Sequence, residues 1–266
     1  MKGTVVVIPA FNEARTILSV ISAVCEQDVD RVIAVDDGSS DDTAALITGF
    51  STQARSSLTL ELIRHPANRG KGFALASGIA RAIEADARRV ITIDADGQHC
   101  ASDIRRLEQA ALLDPNAIVI AARTEAREQA PALRRFANGV ADFWISWACG
   151  RRVDDTQSGF RLYPAALLRS LSTRPQVDQG FAFETELLID GVASGASLRS
   201  VAIMTRYQQG LRQSHYRPWR DTWSIVRLVG GKLLRRGLYP AGLLRSLGWL
   251  PPRLTKDQTV SLQDGD

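Results

Sequence analysis

Short apolar runs alternate with amphipathic helical patterns through the first half of this chain. Five of the runs are predicted to be buried strands, at residues 4–8, 31–35, 58–63, 90–93 and 117–121. Between them, apolar residues recur at helical spacing, as at Ile17, Ile21 and Val24. This alternation is typical of βαβ units, which build a parallel sheet with helices on its faces. The expected fold is therefore α/β, with a mainly parallel central sheet flanked by helices.

The second half of the chain is less regular. Its pattern predicts helices at residues 133–147 and 183–193, an irregular polar stretch at 154–163 and a further strand at 198–207. A basic region follows at 217–236, and the final segment, LTKDQTVSLQDGD, is predicted to be disordered.

Positive charge is concentrated near the C-terminus. The segment from Arg199 to Arg253 holds eleven Lys or Arg residues and one acid, Asp221, whereas the rest of the chain holds 22 basic and 28 acidic residues. Such a segment favours a polyanionic neighbour, either a phospholipid surface or nucleic acid. No nucleic-acid-binding motif accompanies the charge, so nucleic acid is not expected as a partner.

The basic segment also has an apolar periodicity. Four residues, Trp223, Val226, Val229 and Leu233, are predicted to lie near one helical face, with basic residues interspersed. This pattern predicts a helix that lies on an anionic membrane, although a terminal helix packed on the core would show a similar pattern. No run reaches the roughly 18 to 20 apolar residues that span a bilayer, so the expected membrane contact is peripheral.

The number and spacing of the cysteines indicate the cellular compartment of the protein. The three cysteines, Cys25, Cys100 and Cys149, are odd in number and have no C-x-x-C spacing. The first apolar run ends at Pro9, which makes it too short for the core of a signal peptide. These features predict a protein of the reducing cytoplasm, with peripheral contact at the inner face of the cell membrane.

Two carboxylates follow the fourth predicted strand. Ligands of open parallel sheets bind at the carboxyl ends of strands, and Asp94 and Asp96 lie directly after such an end. Carboxylate oxygens suit Mg²⁺ or Mn²⁺, ions that often keep water and substrate phosphates as further ligands. Asp and Gly are also common in turns, so the pair taken alone would favour a turn.

Other strand ends carry polar motifs of their own. DDGSS at 36–40 offers a carboxylate that could accept hydrogen bonds from a nucleobase, and NRGKG at 68–72 precedes a helix whose start would suit a phosphate. Neither a P-loop nor G-x-G-x-x-G is present. Later, FETE at 183–186 supplies acids that could act as a general base or could simply stabilise a first helical turn.

Taken in order, IPAFNEA, VDDGSSDDT, NRGKGFALASG, IDADGQH, DTQSGFRLY and FETELL resemble glycosyltransferase family 2, and within it the polyprenyl-phosphate (dolichyl-phosphate) mannose or glucose synthase branch. The resemblance implies a GT-A fold, with a Rossmann-like sheet, over residues 1–210. A basic amphipathic helical region at 211–250 and a disordered tail at 251–266 would follow. It also implies an inverting, metal-dependent transfer from a nucleotide-diphosphate sugar.

The resemblance assigns residues to the donor side of the site. The residues implied to line the nucleotide pocket or contact the base are Pro9, Ala10, Asn12, Glu13 and Asp37. Asp94 and Asp96 would hold Mg²⁺ or Mn²⁺, with Asp96 the more direct ligand and Gln98 nearby. Lys71 would approach the base or the diphosphate, and Arg123 would steady the diphosphate.

On the acceptor side, the resemblance assigns Ser158 and Arg161 to the acceptor site. Glu184 matches the catalytic base of members with hydroxyl acceptors, and Glu186 matches the acid two residues later. Asp96, Glu184 and Arg161 are thus the residues implied to act in catalysis. The implied acceptor is a lipid or lipid-linked molecule, and a polyprenyl phosphate and a lipid hydroxyl both stay open.

Two other functions compete with this hypothesis. A sugar-nucleotide pyrophosphorylase could use a related sheet, but its G-x-G-T-R motif is missing after the first strand. A catalytically idle scaffold could keep the nucleotide pocket at a membrane. The acids at positions 94, 96, 184 and 186 argue against a loss of catalytic activity.

Overall fold

The computed structural model describes residues 3–53, 59–123, 132–171, 182–204 and 218–251. Its strands are β1 (Thr4–Ala10), β2 (Arg31–Asp36), β3 (Thr59–Arg64), β4 (Arg89–Thr92), β5 (Ala117–Ala122), β6 (Arg161–Pro164) and β7 (Ser197–Ala202). Its α-helices are α1 (Ile17–Cys25), α2 (Thr43–Gln53), α3 (Lys71–Glu84), α4 (Ile104–Leu113), α5 (Ala132–Cys149), α6 (Ala165–Ser170), α7 (Ala182–Ala193), α8 (Pro218–Arg235) and α9 (Pro240–Ser246).

These strands form one sheet in the order β3-β2-β1-β4-β6-β5-β7. Neighbouring strands are parallel except at β6, which runs antiparallel to both β4 and β5. Because β6 is reversed, its first residue, Arg161, lies beside Thr92, the last residue of β4. The loop that precedes β6 therefore reaches the same end of the sheet as the segments that follow the parallel strands.

Alternate residues of the central strands face two separate cores. Val5 and Val7 pack in a core with α3, α5, α7 and α8, whereas Val6 and Ile8 pack in a core with α1, α2 and α4. Both faces of the sheet are covered, which explains why these strands read as continuous apolar runs rather than as alternating ones. The predicted α/β fold, with a mainly parallel sheet between helices, is confirmed.

Most strand boundaries differ from the predicted ones by one or two residues. The clear error concerns β6, because residues 154–163 were expected to be irregular throughout. This strand spans four residues and begins with a buried arginine, Arg161, so it lacks the apolar run that marks the other strands. Position 58, which the prediction placed in β3, and positions 205–207, which it placed in the last strand, lie outside the described residues.

Helix α8 has apolar residues on two sides. Val229 and Leu233 are buried where α8 packs on α5 and α7, while Trp223, Val226 and Leu234 are exposed. Val229 and Leu233 thus follow the alternative of a terminal helix packed on the core, whereas Trp223 and Val226 do not share their buried side. The helix packs on the core and also presents an outward apolar side. The predicted disordered tail, apart from its first residue, lies outside the described residues.

Within the described ranges, no helix is both long enough and apolar enough to cross a bilayer.

A close contact between α3 and the sheet gives the first prediction. A Cβ on Gly78 would overlap Val7 Cγ1 and lie 3.1 Å from Val35 Cγ2, both in the buried core. Gly78→Ala should lower the free energy of unfolding by about 1–3 kcal/mol, since overpacking forces side chains or backbone to move. Chemical denaturation measures the change. Gly139→Ala is the control, because no atom lies within 4 Å of its Cβ position and alanine favours a helix.

Candidate active site

Polar residues from separate segments meet at the carboxyl end of the sheet. Asn12 follows β1, Asp37 follows β2, Asp94 and Asp96 follow β4, and Arg123 follows β5. This is the end at which open α/β sheets bind ligands. The sheet order places β1 next to both β2 and β4, so residues far apart in sequence are brought to one place.

Lys71 lies at the centre of this region. It is the first residue of α3, and its Nζ lies 2.7 Å from Asp94 Oδ1 and 2.9 Å from Glu184 Oε2, in the first turn of α7. The three side chains, called the Lys71 cluster below, are mostly buried, with 17% of Lys71 and 7% of Glu184 exposed. Burial alone would lower the pKa of Lys71, but the two carboxylates outweigh it and hold the pKa above its ordinary value.

Gly159 covers the ion pair between Lys71 and Asp94. A Cβ at this position would lie 2.5 Å from Asp94 Oδ2 and 2.7 Å from Lys71 Nζ. The hydroxyl of Thr92 donates a 2.9 Å hydrogen bond to the Gly159 carbonyl and so holds the loop in place. The reversed direction of β6 is what brings this glycine beside β4. Only a residue without a side chain leaves room for the Lys71 cluster.

The two aspartates after β4 interact electrostatically. Burial, and then the charge of Asp94, raise the pKa of Asp96, although a 3.0 Å hydrogen bond from the Gln98 backbone N–H opposes this. Burial would likewise raise the pKa of Asp94, but the Lys71 ammonium outweighs it and lowers that pKa. Asp94 is thus already neutralised by a cation, whereas Asp96 forms no ion pair within the described part of the chain.

The donor set fits a divalent ion that also takes ligands from a substrate. Asp94 and Asp96 supply hard oxygen ligands, of the kind that Mg²⁺ and Mn²⁺ prefer. Among the described residues, no group of three or more His, Cys, Asp or Glu side chains could hold a metal. The two carboxylates therefore suit an ion whose other positions are filled by phosphate oxygens and water, rather than a site built wholly from protein.

Arg123 is fixed by a bidentate ion pair. Its Nε and a terminal nitrogen each lie 2.8 Å from an Asp155 oxygen, and its backbone N–H donates to Asp155 at 2.9 Å. The positive charge of Arg123 acts on Asp94, Asp96 and His99. Asp155 had no predicted role of its own. Its place in the polar DDTQSGFR stretch was the available signal.

His99 is an uncharged residue that lies near the two aspartates. Its Nε2 is 4.0 Å from Asp94 Oδ2, and its ring lies 5.4 Å from that of Phe160, measured between centroids. Burial lowers the pKa of His99 to about 4. The imidazole is therefore neutral at ordinary pH and adds no positive charge to the site.

The predicted nucleotide pocket has a defined backbone. Asn12 Oδ1 accepts hydrogen bonds from the Ser40 and Asp41 backbone N–H groups at 2.8 and 3.3 Å, and the Glu13 N–H donates to Thr43 Oγ1 at 2.8 Å. These bonds tie the segment after β1 to the segment after β2. Pro9 and Ala10 end β1 as buried residues beneath it.

Asp37 holds the loop before α3. Its carboxylate accepts from the Arg69 and Gly70 backbone N–H groups, the latter at 2.7 Å, and lies 2.7 Å from His65 Nδ1. Since Lys71 follows this loop directly, Asp37 positions the start of α3. Contact between Asp37 and a nucleobase stays a prediction, as do the substrate contacts assigned to the residues after β1.

Arg161 has the contacts of a positioning residue. It is 1% exposed, and its guanidinium donates to the carbonyls of Ser158, Thr156 and Glu184 at 2.8, 2.7 and 2.8 Å. It therefore joins the loop before β6 to the first turn of α7 and acts on the site through Glu184. Ser158 is also fully buried.

Glu186 is not brought to the Lys71 cluster. Its Oε1 lies 3.2 Å from Lys232 Nζ on α8, and Asp190 lies 2.6 Å from the same nitrogen. Residues two apart on a helix point in nearly opposite directions, so Glu184 and Glu186 cannot face the same site. In the described structure Glu186 joins α7 to α8.

Comparison with known proteins decides the family. Residues 5–165 match the family model described as Glycosyl transferase family 2. The chain belongs to this family. The matched segment runs from β1 to the start of α6 and so contains Lys71, both aspartates and Arg123. The family that the six sequence motifs suggested is confirmed.

Two relatives of this family 2 glycosyltransferase are named as transferases that act on dolichyl phosphate. It is 28% identical over 217 residues to the UDP-N-acetylglucosamine–dolichyl-phosphate N-acetylglucosaminyltransferase of Methanococcus voltae, covering 76% of this chain and 85% of the relative. It is 31% identical over 252 residues to the dolichyl-phosphate β-glucosyltransferase of Drosophila melanogaster, covering 85% of this chain and 75% of the relative. These relatives are transferases, which argues against the pyrophosphorylase alternative.

A solved structure shows the same architecture. The glucosyl-3-phosphoglycerate synthase of Mycobacterium tuberculosis, in complex with Mn²⁺, UDP-glucose and phosphoglyceric acid, aligns with a TM-score of 0.61 at 25% identity. The alignment covers 88% of this chain and 79% of that one. The GT-A fold that the resemblance implied is confirmed.

The tight contact at Gly159 gives the second prediction. Gly159→Ala should reduce sugar transfer roughly 10- to 100-fold, because the new methyl group displaces Lys71 or Asp94, and small displacements in an active site have effects of this size. Turnover of UDP-glucose or UDP-N-acetylglucosamine, whichever the wild-type enzyme accepts, measures the effect. Gly231→Ala in α8, where the Cβ meets no atom within 4 Å, should leave turnover unchanged. Equal turnover by Gly159→Ala and wild type would contradict this account.

Proposed function

We propose that the enzyme transfers a sugar, with inversion, from a nucleotide-diphosphate sugar to the phosphate of a polyprenyl lipid, assisted by a divalent cation. The Lys71 cluster carries this proposal, because it joins an aspartate of the predicted metal pair, a buried cation and a buried acid at one point. The named activities of the two dolichyl-phosphate relatives support the choice of acceptor.

Asp94 and Asp96 are the residues that would hold Mg²⁺ or Mn²⁺. A bound ion would act as a Lewis acid on the donor diphosphate and neutralise charge that develops as the nucleotide leaves. Solved structures of the M. tuberculosis synthase contain Mn²⁺ or Mg²⁺ together with UDP, which supports this use of the two carboxylates. The side chain of Asp96 is the better placed of the two, because Asp94 is already paired with Lys71.

The reaction would be a single displacement. An oxygen of the acceptor phosphate forms a bond to the anomeric carbon while the bond from that carbon to the donor diphosphate breaks, and the nucleoside diphosphate leaves with the electron pair. Lys71 and Arg123 lie close enough to Asp96 to affect its pKa, so both would add positive charge beside the leaving diphosphate. Asp155 would keep Arg123 in its orientation throughout.

The role of Glu184 differs between the two candidate acceptors. An acceptor phosphate is already an anion and needs no base, in which case Glu184 serves to hold Lys71. A lipid hydroxyl would need a group to take its proton, and one observation favours this second candidate. Among the residues that the structure describes, the buried Oε1 atom of Glu184 has no hydrogen-bond partner, so it could accept a proton from a hydroxyl placed beside it.

The choice of acceptor gives the third prediction. With a radiolabelled UDP-sugar, the wild-type enzyme should glycosylate a polyprenyl phosphate and leave the matching polyprenol unmodified. Glu184→Gln, which can still bind Lys71, should keep transfer to the phosphate within about tenfold, since the loss of a general base typically costs 10²- to 10⁴-fold. Transfer to the polyprenol, abolished by the same substitution, would establish the hydroxyl reaction instead. Tight UDP binding without turnover of either acceptor would favour the idle scaffold.

The metal site gives the fourth prediction. Asp96→Asn should weaken Mn²⁺ binding in the presence of UDP and lower turnover by about 100-fold or more, because it removes a charged ligand next to the leaving group. Isothermal titration with Mn²⁺ provides a readout that is independent of catalysis. Asp86→Asn, at an exposed turn, is the matched control and should bind Mn²⁺ as wild type does. Unchanged Mn²⁺ binding by Asp96→Asn would contradict the proposed ligand.

The membrane is the proposed place of this reaction. Two adjoining helices carry large exposed apolar side chains, at Phe136, Val140, Phe143 and Trp144 on α5 and at Trp223, Val226 and Leu234 on α8. Apolar residues exposed in this number are typical of an interaction surface, and the basic residues of the C-terminal region favour an anionic one. These features support peripheral contact with the cytoplasmic leaflet, where a lipid-linked acceptor would be reached.

A further inference from the structure

A basic pocket lies where α9 packs against the end of α5. It has a volume of about 570 Å³. Its lining consists of three arginines and the segment after α9, namely Arg151, Arg152, Arg245, Gly248, Trp249, Leu250 and Pro251. We call it the Arg151 pocket. It has no part in the mechanism described above.

The positive charge of this pocket is poorly balanced. Within the described ranges, Arg245 makes long bonds to two neutral oxygens, 3.3 Å to the Pro251 carbonyl and 3.4 Å to the Tyr239 hydroxyl. Arg152, which is 84% exposed, is 3.3 Å from Asp154. In the described part of the chain, the Arg151 guanidinium forms no hydrogen bond or ion pair, and burial lowers its pKa. Three guanidinium groups around one cavity repel one another, and a bound anion would relieve that repulsion.

The pocket is built on a rigid support. The Tyr239 ring fits between two glycines, since a Cβ on Gly150 would lie 2.7 Å from its hydroxyl and a Cβ on Gly242 would overlap the ring. Trp147 Nε1 donates to the Tyr239 carbonyl at 3.2 Å. These contacts hold the start of α9 on the end of α5, and Arg245 and Arg151 line the same cavity.

The rim of the pocket is apolar and exposed. Trp249 is 74% exposed, and Leu247 and Leu250 beside it are also exposed. Tryptophan is enriched where proteins meet the boundary between lipid and water, because its ring is apolar and its N–H is polar. A cationic pocket with such a rim matches a phosphate that is attached to acyl chains better than it matches a free phosphate.

The Arg151 pocket is separate from the Lys71 cluster. None of the residues that line the pocket belongs to the Lys71 cluster or to the segments that directly follow β1, β2, β4 and β5. A lipid bound there would orient the enzyme and would not be the acceptor.

We propose that the Arg151 pocket binds the phosphate headgroup of an anionic membrane lipid and so sets the orientation of the enzyme on the membrane. The inference rests on the proposed membrane contact and is independent of the proposed sugar transfer. Arg151 and Arg245 bind the phosphate oxygens, and Trp249 and Leu250 enter the interface around the headgroup.

Vesicle binding by the full chain is the fifth prediction. Wild type should bind vesicles of phosphatidylcholine with phosphatidylglycerol. Arg151→Gln/Arg245→Gln should bind them about 25-fold more weakly, from a contribution of roughly fivefold per basic residue at an anionic surface. Arg105→Gln/Arg106→Gln removes the same charge from α4, on the other face of the sheet, and should stay within about twofold of wild type. Arg152→Gln, at an exposed position, should weaken binding without any effect on folding.

Three outcomes would overturn the inference. Equal losses in the pocket and α4 variants would show a general charge effect, and no loss in the pocket variants would show that the pocket is unused. Loss of inorganic phosphate binding with unchanged vesicle binding would show a free-phosphate site. If wild type binds no vesicles, both the proposed lipid site and the proposed membrane contact are wrong. Sugar transfer to a short-chain polyprenyl phosphate in detergent would then show that the proposed reaction is still correct.

Discussion

The buried contacts of Lys71 with Asp94 and Glu184 connect the parts of this structure on which its chemistry depends. They join the start of α3, the segment after β4 and the first turn of α7. Removal of one partner from a buried ion pair typically destabilises a protein by about 3–5 kcal/mol, because the remaining charge is left without compensation. The same ammonium keeps two carboxylates close together in a region that excludes much of the water, so stability and site geometry come from one interaction.

The reversed strand β6 explains how this cluster is closed. An all-parallel sheet would send the segment before β6 to the far end of the molecule. Because β6 is antiparallel, Gly159 lies over the Lys71 cluster, and Arg161 reaches the carbonyl of Glu184 at 2.8 Å. Asp155, in the same loop, orients Arg123. The direction of this four-residue strand therefore positions three residues of the site. Gly159 covers the Lys71 cluster, Arg161 supports α7, and Asp155 pairs with Arg123.

The sequence predicted the parallel part of the fold well because local patterns encode it. Strands covered on both faces appear as apolar runs, and the polar residues after them identify the binding end of the sheet. Asp94, Lys71 and Glu184 were chosen separately, and their contact depends on the packing of α3 and α7, which no local pattern contains. Asp155 and the supporting role of Arg161 escaped the sequence analysis for the same reason. The environment of the apolar face of α8 stayed open between core and membrane, because apolar periodicity does not distinguish the two.

The two surfaces of α8 suggest how catalysis and location are coupled. The inward side, with Val229 and Leu233, packs in the same core as α7, and Lys232 bonds Asp190 on that helix at 2.6 Å. Helix α7 also carries Glu184 of the Lys71 cluster. A force on the outward side of α8 would thus reach the helix that holds Glu184 through packed side chains and an ion pair. The proposed membrane contact at α5 and α8 would therefore involve two helices that pack directly against α7, the helix that carries Glu184.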